Sequence, residues 1–187
     1  MALADYAYYY ALRNISREVV AKSLMSKIQI SSSHHRWNNL TLGSIDKAAI
    51  NYARLEWPKY YSDRTHHGFK YSWETIYRKF IHRPSLFDIA IWEKIDGVQV
   101  LQGLAIGKPS NGKTHLVINW VERSFAPSYL KGGVLLIILA CAEEYAKLLG
   151  CKRVLIHSPV DDGKYQRYGY APYKLTKVCG RYLCKDL

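Results

Sequence analysis

The segment Phe125-Ala126-Pro127-Ser128-Tyr129-Leu130-Lys131-Gly132-Gly133-Val134-Leu135 combines residue types suited to holding an anion. Pro127 ends an apolar strand, Leu116 to Phe125. A basic Gly-Gly turn follows, and a long apolar helix begins at once and runs to about Leu149. The first backbone N–H groups of a helix lack intrahelical acceptors, and the positive end of the helix dipole lies behind them. Such an end takes phosphate or pyrophosphate. Gly132 and Gly133 let the chain approach without a Cβ in the way, the N–H groups of Lys131 to Leu135 supply donors, and Lys131 adds charge. The alternative is a tight strand-to-helix turn with no ligand.

A second group, Tyr165-Gln166-Arg167-Tyr168-Gly169-Tyr170, follows a strand from Arg153 to Ser158. The phenol of Tyr165, ordinarily near pKa ~10, can give a proton to a leaving group. It is also one of 16 tyrosines, so a packed ring bonded to backbone is the plainer use. Between Lys59 and Tyr71 the chain is basic and aromatic. There Arg64, His66, His67 and Lys70 can meet phosphates while rings such as Tyr61 stack on bases. A substrate-side loop of no special chemistry is the other reading. The adjacent histidines His34-His35 and His66-His67 diverge and have no carboxylate beside them, so no metal site is expected.

Lys and Arg number 27 against 15 Asp and Glu, a formal net charge of +12 at pH 7. Such a surface attracts polyanions, though it also serves solubility. A chain of 187 residues, 49% hydrophobic, fits one domain over 1–187 with a full core and no need of disulfides. No apolar run reaches the eighteen or so residues of a membrane span; the longest, Val134 to Ala142, suits a buried helix. Met1-Ala2-Leu3-Ala4-Asp5 lacks a secretion signal's basic start and apolar core, so a cytoplasmic location is expected. Cys141 reads as a buried hydrophobe. Cys179 and Cys184 could face each other across a hairpin, where a reduced pair fits the cytosol.

The elements that must position these groups follow from periodicity and caps. Tyr6 to Leu12 reads as a first strand, or as helix given its alanines. Ser16 reads as the N-cap of a helix through Lys27 with Val19, Val20, Leu24 and Ile28 as its apolar stripe. Ile30 to Asn39 reads as loop. Ser44 is expected to cap a helix from Ile45 to about Leu55, and Ser72 another from Trp73 to about His82. Strands Phe87–Glu93 and Val98–Ile106 flank an Asp96-Gly97 hairpin turn, and Thr114–Phe125 is the third antiparallel strand. A short helix near Asp161 to Tyr168 and a hairpin around Gly180 close the chain.

With these elements in place, the two landmark segments resemble the GNAT family of acyl-coenzyme A-dependent N-acyltransferases. The family's cofactor loop reads roughly V-x-P-x-[YF]-R-G-x-G-[IV]-[GA]; Pro127, Tyr129, Gly133 and Val134 take its positions. Its later segment reads [FY]-Y-x-x-x-G-[FY], matched by Tyr165, Gly169 and Tyr170. Leu130 stands where the family has Arg or Gln, Leu135 where it has Gly or Ala, and the basic residue has moved to Lys131. The resemblance covers about residues 87–175. It implies an α/β (α+β) domain with a mixed, mostly antiparallel sheet flanked by helices, acetyl-CoA as co-substrate without a metal, and an amine acceptor. Phe125, Lys131, Gly132, Gly133, Val134 and Leu135 would line the cofactor.

In this reading Tyr165, which in the family lies near the coenzyme sulfur, protonates the leaving thiolate. The attacking amine must be neutral, so a base is expected on or near the third antiparallel strand. Glu122 is that strand's carboxylate, with His115 and Asn119 as other polar candidates and His157 at the end of the next strand. Glu122 could equally pair with Arg123 at the surface, and alternation puts it opposite Asn119 unless a bulge intervenes. The charge makes tRNA or DNA a candidate acceptor, for a monomer or homodimer without membrane contact. The alternative is a non-catalytic, basic binding protein on the same scaffold, for which Leu130 and Leu135 speak.

Overall fold

In chain order the elements are α1 (Leu3–Ile28), β1 (Leu40–Gly43), α2 (Lys47–Leu55), a 3-10 turn (Trp57–Tyr60), α3 (Trp73–Arg78), β2 (Phe87–Ile95) and β3 (Val98–Pro109). They continue with β4 (Leu116–Arg123), α4 (Gly133–Leu148), β5 (Arg153–His157), α5 (Asp162–Gln166), β6 (Ala171–Tyr173) and β7 (Tyr182–Asp186). These come from a computed structural model that describes residues 3–28, 37–61, 71–130, 132–175 and 180–187. The seven strands form one sheet in the order β1-β2-β3-β4-β5-β7-β6, and every pair is antiparallel except β4 with β5. The expected mixed, mostly antiparallel sheet flanked by helices is what forms.

Helices cover both faces of the sheet. α1 and α4 close one core, with Ile89, Ile91, Ile118, Ile137, Ile138 and Ile156 buried together. α2 and α3 close the other over Trp57, Trp73, Ile76, Leu101, Leu104 and Ile106. Burial on both faces explains why β2 and β3 read as apolar runs and not as alternation. The β2–β3 turn takes left-handed backbone at Asp96 (φ 49°) and Gly97 (φ 85°), the geometry that matches strand twist in a two-residue hairpin.

The N-terminal region departs from the sequence expectation. Tyr6–Leu12 is not a strand but part of the single 26-residue α1. Leu12, Ser16 and Val20 are buried at helical spacing, and packing against α4 overrides the β preference of the tyrosines. Ser16 caps nothing: it is buried within α1 and its hydroxyl donates to the carbonyl of Arg13 at 2.7 Å. Asp46, not Ser44, caps α2, accepting from Ala49 N at 2.7 Å. Ser72 does cap α3, which ends at Arg78 and gives way to turns before His82. Of the expected loop 30–39, residues 30–36 lie outside the described residues, and 37–39 turn into β1, an unforeseen edge strand.

α1 is bolted to the sheet by a buried ion cluster. Arg13 Nε and Arg17 Nη2 both lie 3.1 Å from Asp88 Oδ1, while Ile45 N donates to Asp88 Oδ2 at 2.7 Å. Arg13 also donates to the carbonyls of Pro84 and Leu86. Desolvation pushes the Asp88 carboxyl upward, against the two guanidinium charges and the hydrogen bonds that pull it down.

Candidate active site

β4 and β5 pair through three rungs only, Leu116–Val154, Val117–Leu155 and Ile118–Ile156. β4 then runs on to Arg123, paired on its other edge to β3. From Asn119 onward the two parallel strands therefore diverge, opening a fork beside the start of α4. A bulge sits at the branch point: Ile106 faces Trp120 and Gly107 faces Ile118, leaving Asn119 as the extra residue. Gly107 is required there, since a Cβ would lie 2.1 Å from the carbonyl oxygen of Val117.

The bulge resets alternation along β4. Ile118 and Val121 pack toward α1 and α4, while Trp120 and Glu122 turn to the α2–α3 side. Among the described residues, Asn119 Oδ1 is buried without a hydrogen-bond partner. A buried acceptor left unmatched at a fork suits the N–H of an extended ligand.

Glu122 does not form a surface pair with Arg123. Trp73 Nε1 donates to its Oε2 at 2.6 Å and Tyr61 Oη to its Oε1 at 2.9 Å. The carboxylate opens on a cleft of about 170 Å³ walled by Trp57, Tyr61, Tyr71 and Trp73. Burial, then the Glu122 charge, raises the Tyr61 phenol far above its ordinary value, so it stays a donor. Arg123 instead stacks over Phe125, 5.4 Å from the ring centroid, and Phe125 meets Tyr61 edge-on at 6.0 Å.

The loop from Ser124 to Gly132 is fastened to the sheet. Glu93, 1% exposed, accepts from Ser128 Oγ at 2.7 Å and Tyr129 N at 3.1 Å. Gln102, the bulge residue of β3, donates to the Pro127 carbonyl at 2.9 Å and accepts from Ser124 N. Gly132 takes the left-handed backbone (φ 73°) that turns the chain into α4. Gly133 is close to a ring: a Cβ there would lie 2.8 Å from Trp37 Cη2. Val134 and Leu135 follow in the first turn of α4, where N–H groups have no intrahelical acceptor. Lys131 lies outside the described residues.

Tyr165, on α5, packs against the α4-side core with Tyr170 6.5 Å away edge-on. Burial first, and then the Asp161 charge, raises its phenol above the usual value, which keeps the proton on Oη. His157, the last residue of β5, lies against the Tyr182 ring at 5.1 Å, with Ser158 Oγ 3.3 Å from its Nε2. Tyr165 thus stands on the α4 side of the sheet and Glu122 on the α2–α3 side, while His157 has the β7 residues for neighbours. Arg64, His66, His67 and Lys70, proposed for polyanion contact, lie outside the described residues, as does Cys179.

No protein-family model and no curated protein sequence matches the chain. Solved structures do. An acetyltransferase from Streptococcus agalactiae matches at TM-score 0.54 and 11% identity, covering 80% of this chain and 99% of its own. A variant of the spermidine N-acetyltransferase of Vibrio cholerae matches at TM-score 0.53 and 14% identity, covering 79% and 94%. A domain from Methanocaldococcus jannaschii matches at TM-score 0.54 and 13% identity, covering 79% and 98%. This chain has the GNAT fold.

Within that fold the two departures from the GNAT loop pattern have distinct physical settings. Leu130 is 1% exposed and belongs to the core beneath the loop, so its side chain anchors the turn from below. Leu135 is half-buried against the same core. Sequence reasoning missed Tyr61 and Trp73 as partners of Glu122, and Glu93 and Gln102 as anchors of the loop. A signal for the latter two was present: each is a polar residue beside the apolar run of its strand, Ile89-Ala90-Ile91-Trp92 in β2 and Gly103-Leu104-Ala105-Ile106 in β3. None existed for the Trp37–Gly133 contact, which joins residues nearly a hundred positions apart.

Proposed function

We propose that this protein transfers an acyl group from acyl-CoA, most simply acetyl-CoA, to an amine. The observation that carries the reading is the fork: β4 leaves β5 at the Asn119 bulge, beside the open N-terminus of α4 and between a carboxylate and a buried phenol. The residues present fit the coenzyme's chemistry. Backbone N–H groups of Gly132, Val134 and Leu135, with the helix dipole behind them, would hold the pyrophosphate, while the Gly133 N–H closes the turn on the Leu130 carbonyl. Asn119 Oδ1, unmatched among the described residues, and the β4 backbone beyond the three rungs paired with β5 would accept from and donate to the amide-bearing arm. Acyl-CoA supplies the activated thioester.

Glu122 would take the proton of the incoming ammonium at Oε1 or Oε2, directly or through one water, with Tyr61 and Trp73 fixing the carboxylate's orientation. Tyr165 Oη would return a proton to the departing sulfur; its raised pKa keeps that proton available throughout the neutral range. The acceptor enters from the α2–α3 side, where aromatic walls and a carboxylate favour the cationic end of a primary amine. The +12 charge supports an acceptor borne on an anionic carrier such as tRNA or DNA.

Isothermal titration with acetyl-CoA tests the coenzyme half of this reading. Binding in the micromolar to millimolar range is expected, weakened by the missing arginine at Leu130. No heat at millimolar ligand would favour the non-catalytic reading, in which Leu130 and Leu135 mark a scaffold that has given up the coenzyme. Acceptor class is then read by assaying acetyl transfer to a polyamine, to a peptide amine and to aminoacyl-tRNA.

A further inference from the structure

The outer face of α1 has an apolar stripe with no partner among the described residues. Ala4, Tyr8, Ala11, Ile15, Val19, Lys22 and Ser26 are all exposed, with Tyr8, Ile15 and Val19 at 56%, 43% and 45%. Their spacing of three and four keeps them on one side of the helix. The buried positions Leu12, Ser16 and Val20 lie on the adjoining face, toward the core with α4. An apolar arc wider than the buried face alone is the mark of a helix covered on more than one face.

We infer that this stripe binds a second copy of the same chain, antiparallel, about a dyad through Ile15. Three features select that occupant. The chain as a whole carries +12, yet the exposed side chains between Ala4 and Ser26 include only Asp5, Glu18 and Lys22 as charges. Two copies can therefore approach here without the repulsion met elsewhere on the surface, whereas a polyanion or an anionic lipid finds no cationic face. The antiparallel register sets Ala11 of one copy against Val19 of the other, a small residue opposite a larger one. It also brings Lys22 to the ring of Tyr8 and the Asp5 turn, and opposes the two helix dipoles. A parallel pairing would stack Lys22 on Lys22. The arrangement is isologous and closes at two copies.

A helix of this length spans roughly 39 Å, and one helix pair sits at the small end of stable interfaces, below the roughly 800 Å² per partner of a standard complex. The dimer is accordingly one that dissociates in the micromolar range. Sedimentation velocity of the full chain from about 1 to 200 µM reads it. Wild type should pass reversibly from monomer to dimer. Ile15→Glu, which puts two carboxylates on the dyad, should stay monomeric, with its thermal midpoint and circular dichroism unchanged because position 15 is exposed. Ile15→Cys should give a covalent dimer on mild oxidation, and Tyr10→Cys should not. Lys22→Asp should weaken the dimer about tenfold and Asp5→Lys in the same chain restore it. Wild type that stays monomeric at 200 µM, or a dimer that survives Ile15→Glu, overturns the inference. So would a monomer whose α1 instead binds neutral lipid vesicles, which would make the stripe a surface-lying helix.

Discussion

Two carboxylates of one sheet, on β2 and β4 with β3 between them, are held in different ways. Asp88, 2% exposed, sits between two guanidinium groups and a backbone N–H. Glu122 is half-buried at the wall of a cleft, and its donors among the described residues are an indole and a phenol, both neutral. Compensating charges in a dry setting make Asp88 a fastener: a proton moving on or off it would leave buried charge unmatched. The two described donors to Glu122 are neutral, the setting in which we propose that it takes the proton of an incoming amine.

The largest expected effect breaks the fastener. Asp88→Asn leaves Arg13 and Arg17 buried without a counter-charge and should cost about 3–5 kcal/mol, a fall of roughly 10 °C in the thermal midpoint. Glu122→Gln should leave that midpoint within about 2 °C, yet cut turnover by about 10²–10³-fold. If both substitutions act on stability alone, the distinction between the two carboxylates fails.

Tyr165→Phe should lower turnover by about 10²–10⁴-fold with little change in coenzyme affinity. The active form of this phenol is the protonated one, and burial raises its pKa above the ordinary value. Its contribution therefore persists past pH ~10 and is lost only beyond it. An alkaline limb well below pH 10 that disappears in Tyr165→Phe would show that the burial argument is wrong.

Gly133→Ala sharpens the account of the loop. Its new Cβ would meet the Trp37 ring, so a cost of about 1–3 kcal/mol and a shifted tryptophan emission are expected. Relief in the double change Gly133→Ala with Trp37→Ala would tie the loss to that contact. A smaller effect comes from Trp73→Phe, which deletes one donor to Glu122: turnover about 3–10-fold lower, with the fold intact. Smallest of all, Cys141, pushed up to about 12 by burial, should resist thiol reagents in the native protein.

The central sheet and the loop before α4 were legible because their signals are local. Apolar runs marked β2, β3 and β4, Asp-Gly marked a hairpin, and proline followed by Gly-Gly marked the strand-to-helix turn before α4. The start of the first α-helix was left open between strand and helix because its mixed tyrosines and alanines suit both; contact with α4 settles the choice. Glu122 was identifiable as the carboxylate of its strand, but its neighbours Tyr61 and Trp73 reach it from 61 and 49 residues away.

The sequence alone determined the element types of the C-terminal two thirds, the position of the loop and the basic charge, since these depend on patterns a few residues long. Tertiary structure decided the rest. The bulge at Asn119 flips the later residues of β4 and so assigns Glu122 to the α2–α3 cleft. Asp88 becomes a fastener only because two arginines of α1 fold onto it, and Leu130 becomes a core anchor only because the loop is tied down by Glu93 and Gln102. Each of these outcomes turns on which distant groups share one small volume, and spacing along the chain does not encode that.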